Sequence, residues 1–380
     1  MPQESLALVA KSIRSELPDD IESWRIPGPS RADEERLWDT VRDAFKQAGI
    51  DLWRCKDTRC QRPGSDSLTL SGGSAYVLPA RAMQWFPRVR QFNTVNALCR
   101  GATTSDGHSA VARVIVIKND GKQHLDILRK IAQGMPSLLT TNHVSPLWRE
   151  VHLDDIVFGV FPFIGASVQW CCEPWLMNSV GDIIDMILQC LEALAFIHSL
   201  GIAHRDADKS NFMLQWHPES LATMRVPLTR PRVYLHDFEF AVDFCNPEAT
   251  TDLGPMEGCI RNLAPEVYSG NLYDPFKADI WLFGDSFATF QSTMPAIDDI
   301  LESLKSEDTT ARPTAAEARD QLASVVHSMP PASLLICPVV FEKGKWQTID
   351  SWRRDIYGFI ATDNMSSEGN NEAHINGEVR

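Results

Sequence analysis

The chain has 380 residues, enough for one two-lobed domain with extensions or for two small domains. Hydrophobic residues make up 44% of it and charged residues 23%, so most of the chain can bury a core. The formal net charge of −14 argues against a general nucleic-acid binder, whose phosphate contacts require basic surface, but leaves room for a local positive pocket.

The nine cysteines are scattered, and Cys55 with Cys60 is the only suggestive local pair. Without a second pair a zinc site is not expected. Thiols in a reducing compartment are, with an intracellular place in the cytoplasm or nucleus, since no basic region followed by an apolar core opens the chain. The longest apolar stretch, Leu322 to Phe341, contains His327, Pro330, Pro331 and Pro338 and is too interrupted to span a bilayer.

Taken in order, residues 1 to about 30 carry Pro18, Pro27 and Pro29 and are expected to lack regular structure. Ser30 and Asp33 then form a capping pair for a helix with Leu37, Val41, Ala44, Phe45 and Ala48 on one face and Gly49 at its end, expected to dock on the same chain. From Ile50 to about Phe92 the pattern is short strands and turns, with Gly72-Gly73 as a turn signal. Val95 to Ala102 and Val111 to Lys118 are two strands joined through Ser105-Asp106-Gly107-His108. Lys122 to Gly134 suits a short helix with Leu125, Leu128 and Ile131 inward, and Ile156 to Phe163 a buried strand. Ser179 and Asp182 cap a long helix bearing Ile183, Ile184, Ile187, Leu191, Leu194 and Ile197. Thr314 and Glu317 cap the last helix. After Pro330 the chain turns irregular, and from about residue 362 its Ser, Glu, Asn and Gly content predicts disorder.

Chemistry is concentrated where the long helix ends. His204-Arg205-Asp206 is followed after four residues by Asn211. Phosphoryl transfer from ATP needs a carboxylate to take the proton of the attacking hydroxyl and an amide oxygen to hold a metal on the phosphates, and Asp206 and Asn211 are those types at a suitable spacing. Further short motifs stand in a fixed order around it: Ile115-Val116-Ile117-Lys118 upstream, and downstream Asp237-Phe238-Glu239, Ala264-Pro265-Glu266, Asp279 to Gly284, and Arg312-Pro313-Thr314. Six matches in one order are far less probable by chance than any one.

From about Asn93 to His327 the chain therefore resembles the eukaryotic protein-kinase family, in the manner of the divergent kinase-like proteins of fungi. The resemblance implies an α+β, two-lobed protein-kinase-like fold with a small β-rich N-lobe and a larger helical C-lobe. Its domains would be an N-terminal extension over 1–92 that could complete the N-lobe, the kinase-like domain over 93–330 with a hinge near 161–165, and a tail over 331–380. It implies Asp206 as base, Lys118 on the phosphates, and Asn211 and Asp237 on Mg, with ATP beside Val116, Phe161 and Phe163. His204 would pack behind Phe238, Arg205 would answer a charge in the activation segment, Asp279 would bind the catalytic-loop backbone, and Glu266 would pair with Arg312. Thr250 and Thr251 become candidate phosphosites, with Glu248 as a mimic.

Three departures fall at nucleotide-handling positions. There is no clear G-x-G-x-x-G, His124 stands where a helix Glu would pair with the strand Lys, and Glu239 replaces a Gly. An ion pair at about 4 Å and an effective dielectric near 20 is about 4 kcal/mol of attraction before desolvation, so its loss matters for Lys118. Asp126 or Glu150 could substitute. Asp208 takes the usual place of a loop Lys, and Lys209, next to it, could reach the γ-phosphate. The expectation is a protein kinase using Mg and ATP on a protein substrate, Ser/Thr in preference to Tyr. The alternatives are a pseudokinase that binds or scaffolds a protein partner and, behind it, a small-molecule kinase. Oligomeric state is not addressed by the sequence.

Overall fold

The fold is described from a computed structural model for residues 13–28, 30–56, 59–61, 91–92, 96–173, 176–247, 261–342 and 344–348. Gly72-Gly73, Glu248, Thr250, Thr251 and the segment from 362 lie outside the described residues.

Among the described residues two helices precede the first strand. The first, α1 (Ile21–Arg25), lies where irregular chain is expected; Asp20 caps it by accepting from Ser23 N, and Ile21 and Trp24 turn inward. In α2 (Arg31–Gln47) the Asp33 carboxylate accepts from Ser30 N and Oγ, and Trp38, Val41 and Phe45 recur at helical spacing on the buried face. Both helices cover one face of a five-stranded antiparallel sheet. Its strands are β1 (Ile50–Leu52), then, past a small sheet of β2 (Arg54–Lys56), β3 (Arg59–Gln61) and β4 (Gln91–Phe92), the strands β5 (Cys99–Thr104) and β6 (Ser109–Ile117), followed by β7 (Arg149–Leu153) and β8 (Ile156–Pro162). The spatial order is β1-β5-β6-β8-β7.

Trp24 meets Trp38 and Phe158 edge to face with centroids 6.0 and 5.6 Å away, and Phe45 meets Phe158 at 5.0 Å. Such burial, about 25 cal/mol per Å² of apolar surface, makes α1 and α2 part of the lobe's core. The segment joining β1 to β5 runs from 53 to 98, where a compact phosphate-covering turn would be sought. Cys55 is disulfide-bonded, which corrects the expectation of free thiols at that position; register places it opposite Cys60. Cys99, Cys171, Cys172, Cys190, Cys245 and Cys337 are free.

One irregularity in β6 decides what enters the cleft. Ala112 and Val114 face the outer core, Val111 and Arg113 the opposite side, and a bulge between Val114 and Val116 then sends Ile115 and Val116 together into the C-lobe side core. Lys118 lies beyond it in the turn, at φ 59°. The next helix, α3 (Lys122–Ile131), starts at Gly121 with φ 80°; a Cβ there would meet Ile115 O at 1.9 Å, so only Gly admits this close approach.

The second lobe is built on α4 (Val180–Ser199), capped reciprocally by Ser179 and Asp182 and buried on most of its circumference. Two short pairings lie beside it. In the first, β9 (Ala166–Ser167), β11 (Phe212–Leu214) and β12 (Val233–Leu235) form one sheet, so the long link after Asn211 is a hairpin; in the second, β10 (Ile202–Ala203) pairs with β13 (Val242–Asp243). Then come α5 (Pro275–Ser286), β14 (Phe290–Gln291), α6 (Pro295–Ser303) and α7 (Ala315–His327), the last with the expected Thr314–Glu317 capping box. The irregular tail expected after Pro330 is corrected: β15 (Val339–Glu342) pairs with β14 and with β16 (Lys345–Thr348). Among the described residues no helix is long and apolar enough to cross a membrane.

Candidate active site in the interlobe cleft

The loop after α4 is held by its backbone. Asp279, buried in α5, accepts from His204 N at 2.7 Å, Arg205 N at 2.6 Å and the His198 ring at 3.0 Å. Arg205 can therefore keep a φ of 65°, a strained value for a non-Gly residue that surrounding bonds must enforce. The fully buried His204 ring makes two bonds that fix a neutral tautomer: Nε2 donates to His236 O at 3.0 Å and Nδ1 accepts from Asp206 N at 3.3 Å. Its edge packs on Phe238, centroid to centroid 4.9 Å.

Asp206 is oriented from both sides. Asn211 Nδ2 donates to its Oδ2 at 2.7 Å and to its carbonyl at 2.8 Å, and Arg261 Nε donates to Oδ1 at 3.2 Å. Arg261 also reaches Ser210 Oγ at 2.7 Å and lies 3.5 Å from Asp208 Oδ1. Asp208 caps the following turn by accepting from Ser210 N, and the Lys209 ammonium lies over the Phe287 ring at 5.3 Å. The cation beside Asp206 is thus Arg261, and the shifted position expected for Lys209 is corrected. Tyr273 hydrogen-bonds the Arg205 side chain.

Between the lobes lies a cavity of about 320 Å³. Val111, Phe161, Phe163, Met213 and Leu235 form its apolar wall, and Arg113, His124, His236 and Asp237 its polar end. Phe161 and Phe163 both line this wall. Val116 is not on this wall, because the β6 bulge turns it into the core and leaves Val111 in that place.

Lys118 is also corrected. Its side chain is half-exposed and its Nζ pairs with Asp19 at 2.8 Å, outside the cleft. The strand cation is Arg113, whose Nη2 lies 2.7 Å from Asp237 Oδ1 and 2.8 Å from Glu239 Oε2. Glu239 is shared with Arg25 of α1, so this acidic replacement of a Gly is clamped between two guanidinium groups. Burial works against charge on Arg113, but Asp237, with Glu239, holds it firmly protonated. Burial likewise pushes the Asp237 carboxyl up, and Arg113 overrides it, keeping the group well below the usual carboxylate range. His124 lies at the same end of the cavity and is pushed down to about 3 by burial and by the Arg113 charge, so it is neutral there. Glu150 does not replace the missing helix carboxylate; it pairs with Arg129 at 2.6 Å, and Asp126 stands 4.0 Å from the same Arg.

A divalent metal would find two oxygen donors here, Asp237 Oδ1, buried without a hydrogen-bond partner, and the side-chain oxygen of Asn211. Mg²⁺ demands oxygen ligands in near-ideal octahedral geometry. Arg113 Nη2 stands 2.7 Å from the same Asp237 oxygen, Asn211 commits only its amide nitrogen to Asp206, and phosphate oxygens and water usually supply the remaining ligands.

The lower scaffold is as the motif order implies. Arg312, fully buried, forks onto Glu266 with Nη1–Oε1 at 2.5 Å and Nη2–Oε2 at 3.2 Å, and its remaining donors meet the carbonyls of Ser306 and Lys277. Three residues escaped sequence reasoning. Arg113 had a signal, since a cation in the middle of an apolar strand requires a buried partner. Arg25 and Arg261 had none, because both act through contacts distant in sequence.

A curled sheet with its helix, a hinge strand lining the cleft, and a helical lobe presenting the His-Arg-Asp loop define a two-lobed protein-kinase-like fold. The protein kinase domain family matches residues 176–298. Over 195 residues the chain is 26% identical to the putative serine/threonine-protein kinase R436 of Acanthamoeba polyphaga mimivirus, covering 48% of this chain and 63% of that one. It is 38% identical over 99 residues to the serine/threonine-protein kinase ppk8 of Schizosaccharomyces pombe, covering 26% and 17% of the two chains. With ksp1 of the same yeast, another serine/threonine-protein kinase, identity is 32% over 114 residues, covering 29% and 21%. The chain thus spans less than two thirds of the length of each of these relatives. Over these segments the chain is similar to protein kinases.

Proposed function

We propose that the chain is an ATP-dependent protein kinase that moves the γ-phosphoryl group to a protein hydroxyl, with Ser or Thr as the acceptor. The observation that carries this reading is the placement of Asp206, held by Asn211 at 2.7 Å in a loop pinned by Asp279. His236 N donates to Asn211 O at 3.0 Å, which joins this loop to the polar end of the cavity. The apolar wall suits a purine, and the polar end supplies Arg113 for the phosphates. The incoming hydroxyl would give its proton to Asp206 as its oxygen bonds to phosphorus and ADP leaves, a reaction whose catalysis is mostly positioning and electrostatics. Arg261, which donates to Asp206 Oδ1, would keep that carboxylate oriented. Protein kinases generally use Mg²⁺ with ATP; here Asp237 and the side-chain oxygen of Asn211 would hold it, and it would neutralise charge on the phosphates. A protein substrate and an intracellular setting belong to the same proposal.

A second reading, a pseudokinase that binds nucleotide and a protein partner without efficient transfer, is favoured by one observation: Arg113 spends its charge on Asp237 and Glu239 while His124 stays neutral. A phosphotransfer assay on a general protein acceptor separates the two. Asp206→Asn should lower transfer by about 10²–10⁴, the range of general-base catalysis, while an ATP-induced shift in melting temperature persists. Equal activity of variant and parent removes Asp206 from its role. A parent that binds ATP without transferring phosphate gives the second reading.

A further inference from the structure

We propose that Cys171 and Cys172 form a vicinal dithiol that hydroperoxides oxidise, Cys172 receiving the oxygen and Cys171 closing a disulfide onto it. Neither residue lines the interlobe cavity, so the site needs no nucleotide.

The pair follows β9 at the end of a one-turn helix, Val168–Trp170, whose entry is capped by Ser167 Oγ accepting from Gln169 N at 3.1 Å. Cys171 N donates to Val168 O at 2.8 Å, and Asn178 Nδ2 donates to Cys171 O at 2.9 Å, so the backbone of Cys171 is held at both its polar atoms. Ser167 Oγ also donates to Ser210 O at 3.1 Å, which ties this segment to the loop that carries Asp206 and Lys209. In this setting the two sulfurs stand 3.5 Å apart. Their access to solvent differs. Cys171 is buried and Cys172 is partly exposed, so one thiol meets an oxidant while the other waits beneath it.

Cysteines that oxidants select are accessible, have thiolate character and stand next to a second thiol. With the thiolate on Cys172, the Cys171 S–H is the donor across the gap. That bond, together with the nearby Lys209 ammonium, holds the Cys172 thiol below its ordinary range against the cost of burial and the smaller opposing effect of Glu173. The same bond and burial push the Cys171 thiol up, so it keeps its proton until its neighbour is oxidised.

The chemistry then runs in two steps. The Cys172 thiolate attacks the terminal oxygen of the hydroperoxide, the O–O bond breaks, and the leaving oxygen takes a proton and departs as an alcohol, or as water from hydrogen peroxide. Cys172 is left as a sulfenic acid. The Cys171 sulfur attacks the Cys172 sulfur, an S–S bond forms, the S–O bond breaks, and hydroxide leaves with the Cys171 proton as water. Two electrons pass from the two thiols to the peroxide. Adjacent Cα atoms lie about 3.8 Å apart, below the roughly 4.4 Å at which ordinary disulfides begin, so the closed ring is strained and open to reduction by thiols.

The test is differential alkylation of the full chain. A small excess of hydrogen peroxide is added, free thiols are blocked with N-ethylmaleimide in denaturant, and the protein is reduced, labelled with iodoacetamide and mapped by peptide fragmentation. Cys171 and Cys172 should both carry the second label in equal yield, and Cys172→Ser should lose it from Cys171. Cys171→Ser should stop after the first step, with dimedone capturing a sulfenic acid on Cys172. N-ethylmaleimide on both residues of the parent after peroxide overturns the proposal, whether or not the exposed Cys245 is oxidised. A disulfide joining Cys171 to the buried Cys190 overturns it as well. Should Cys171→Ser not fold, the parent and Cys172→Ser, changed at the partly exposed position, still decide.

Discussion

Replacing Arg312 by Ala removes a fully buried guanidinium and all five of its hydrogen bonds: two to Glu266, two to Ser306 O and one to Lys277 O. The Glu266 carboxylate, largely buried, is left without its counter-charge, and two carbonyls lose their donor. Breaking one side of such a pair costs about 3–5 kcal/mol, because the remaining charge stays desolvated. With an unfolding entropy of about 2.1 cal/mol/K per residue over ~300 folded residues, that loss lowers the melting temperature by about 5–8 °C. Calorimetry of parent and variant, each with and without ATP, should show this drop in both states, since the pair lies away from the cleft. Changing both partners to apolar residues, Arg312→Met with Glu266→Leu, should recover much of the loss, because no stranded charge remains. A drop under about 1 °C in Arg312→Ala would refute the reasoning, as would a drop seen only with ATP bound.

Lys118→Ala, which breaks only the exposed pair with Asp19, should leave ATP affinity and melting temperature unchanged; a large loss of ATP affinity would return Lys118 to the cleft. Trp24→Ala should cost about 3–5 kcal/mol in a denaturant melt, because the ring is fully buried against Trp38 and Phe158; a cost under about 1 kcal/mol would detach α1 from the lobe. His124 and His217 are each pushed down to about 3 by burial, so between pH 6.5 and 3 the unfolded chain takes up protons that the native chain refuses. With His236, which burial pushes down to about 4, their contribution to stability is present above about 6.5 and falls with decreasing pH by about 4 kcal/mol per pH unit for the three down to about pH 4, from 2.303RT each. Denaturant midpoints at pH 7 and 5 should differ accordingly, and His217→Phe should remove about a third of the slope; equal midpoints would contradict the burial of the three rings.

What could be read from the sequence was encoded locally or by order. His204, Asp206 and Asn211 share one loop, so spacing alone brings them together, and the partnership of Glu266 with Arg312 follows from motif order. Both capping boxes on α4 and α7 are contained in four consecutive residues. The strand cation was different. An apolar run ending in Lys118 looks continuous, but alternation puts Val111 and Arg113 on the cleft side and the bulge between Val114 and Val116 breaks that alternation before Lys118 is reached. That bulge belongs to the pairing with β8, which periodicity within β6 does not contain. Arg25 and Arg261 reach their carboxylates over separations of 214 and 55 residues, and the final strands form only because β14 offers them an edge.

The departures from the kinase pattern then reduce to one rearrangement. With the carboxylate gone from α3, the strand cation has no partner on the helix; with a carboxylate gained at Glu239, it has one on the segment after Asp237. His124 at the first position and Glu239 at the second are two ends of the same transfer of charge, and Arg113, with its planar fork, can serve two carboxylates where a compact ammonium would favour one. The helix is consequently tied down by other means. Gly121 lets it start against Ile115 O, Gln123 donates to Ala241 O at 2.7 Å, and Lys130 pairs with Asp243 at 2.8 Å. Those last two contacts fall on the chain just beyond Glu239, so helix and strand cation are both referred to the same short segment, residues 237–243, rather than to each other. A movement of that segment would shift both at once.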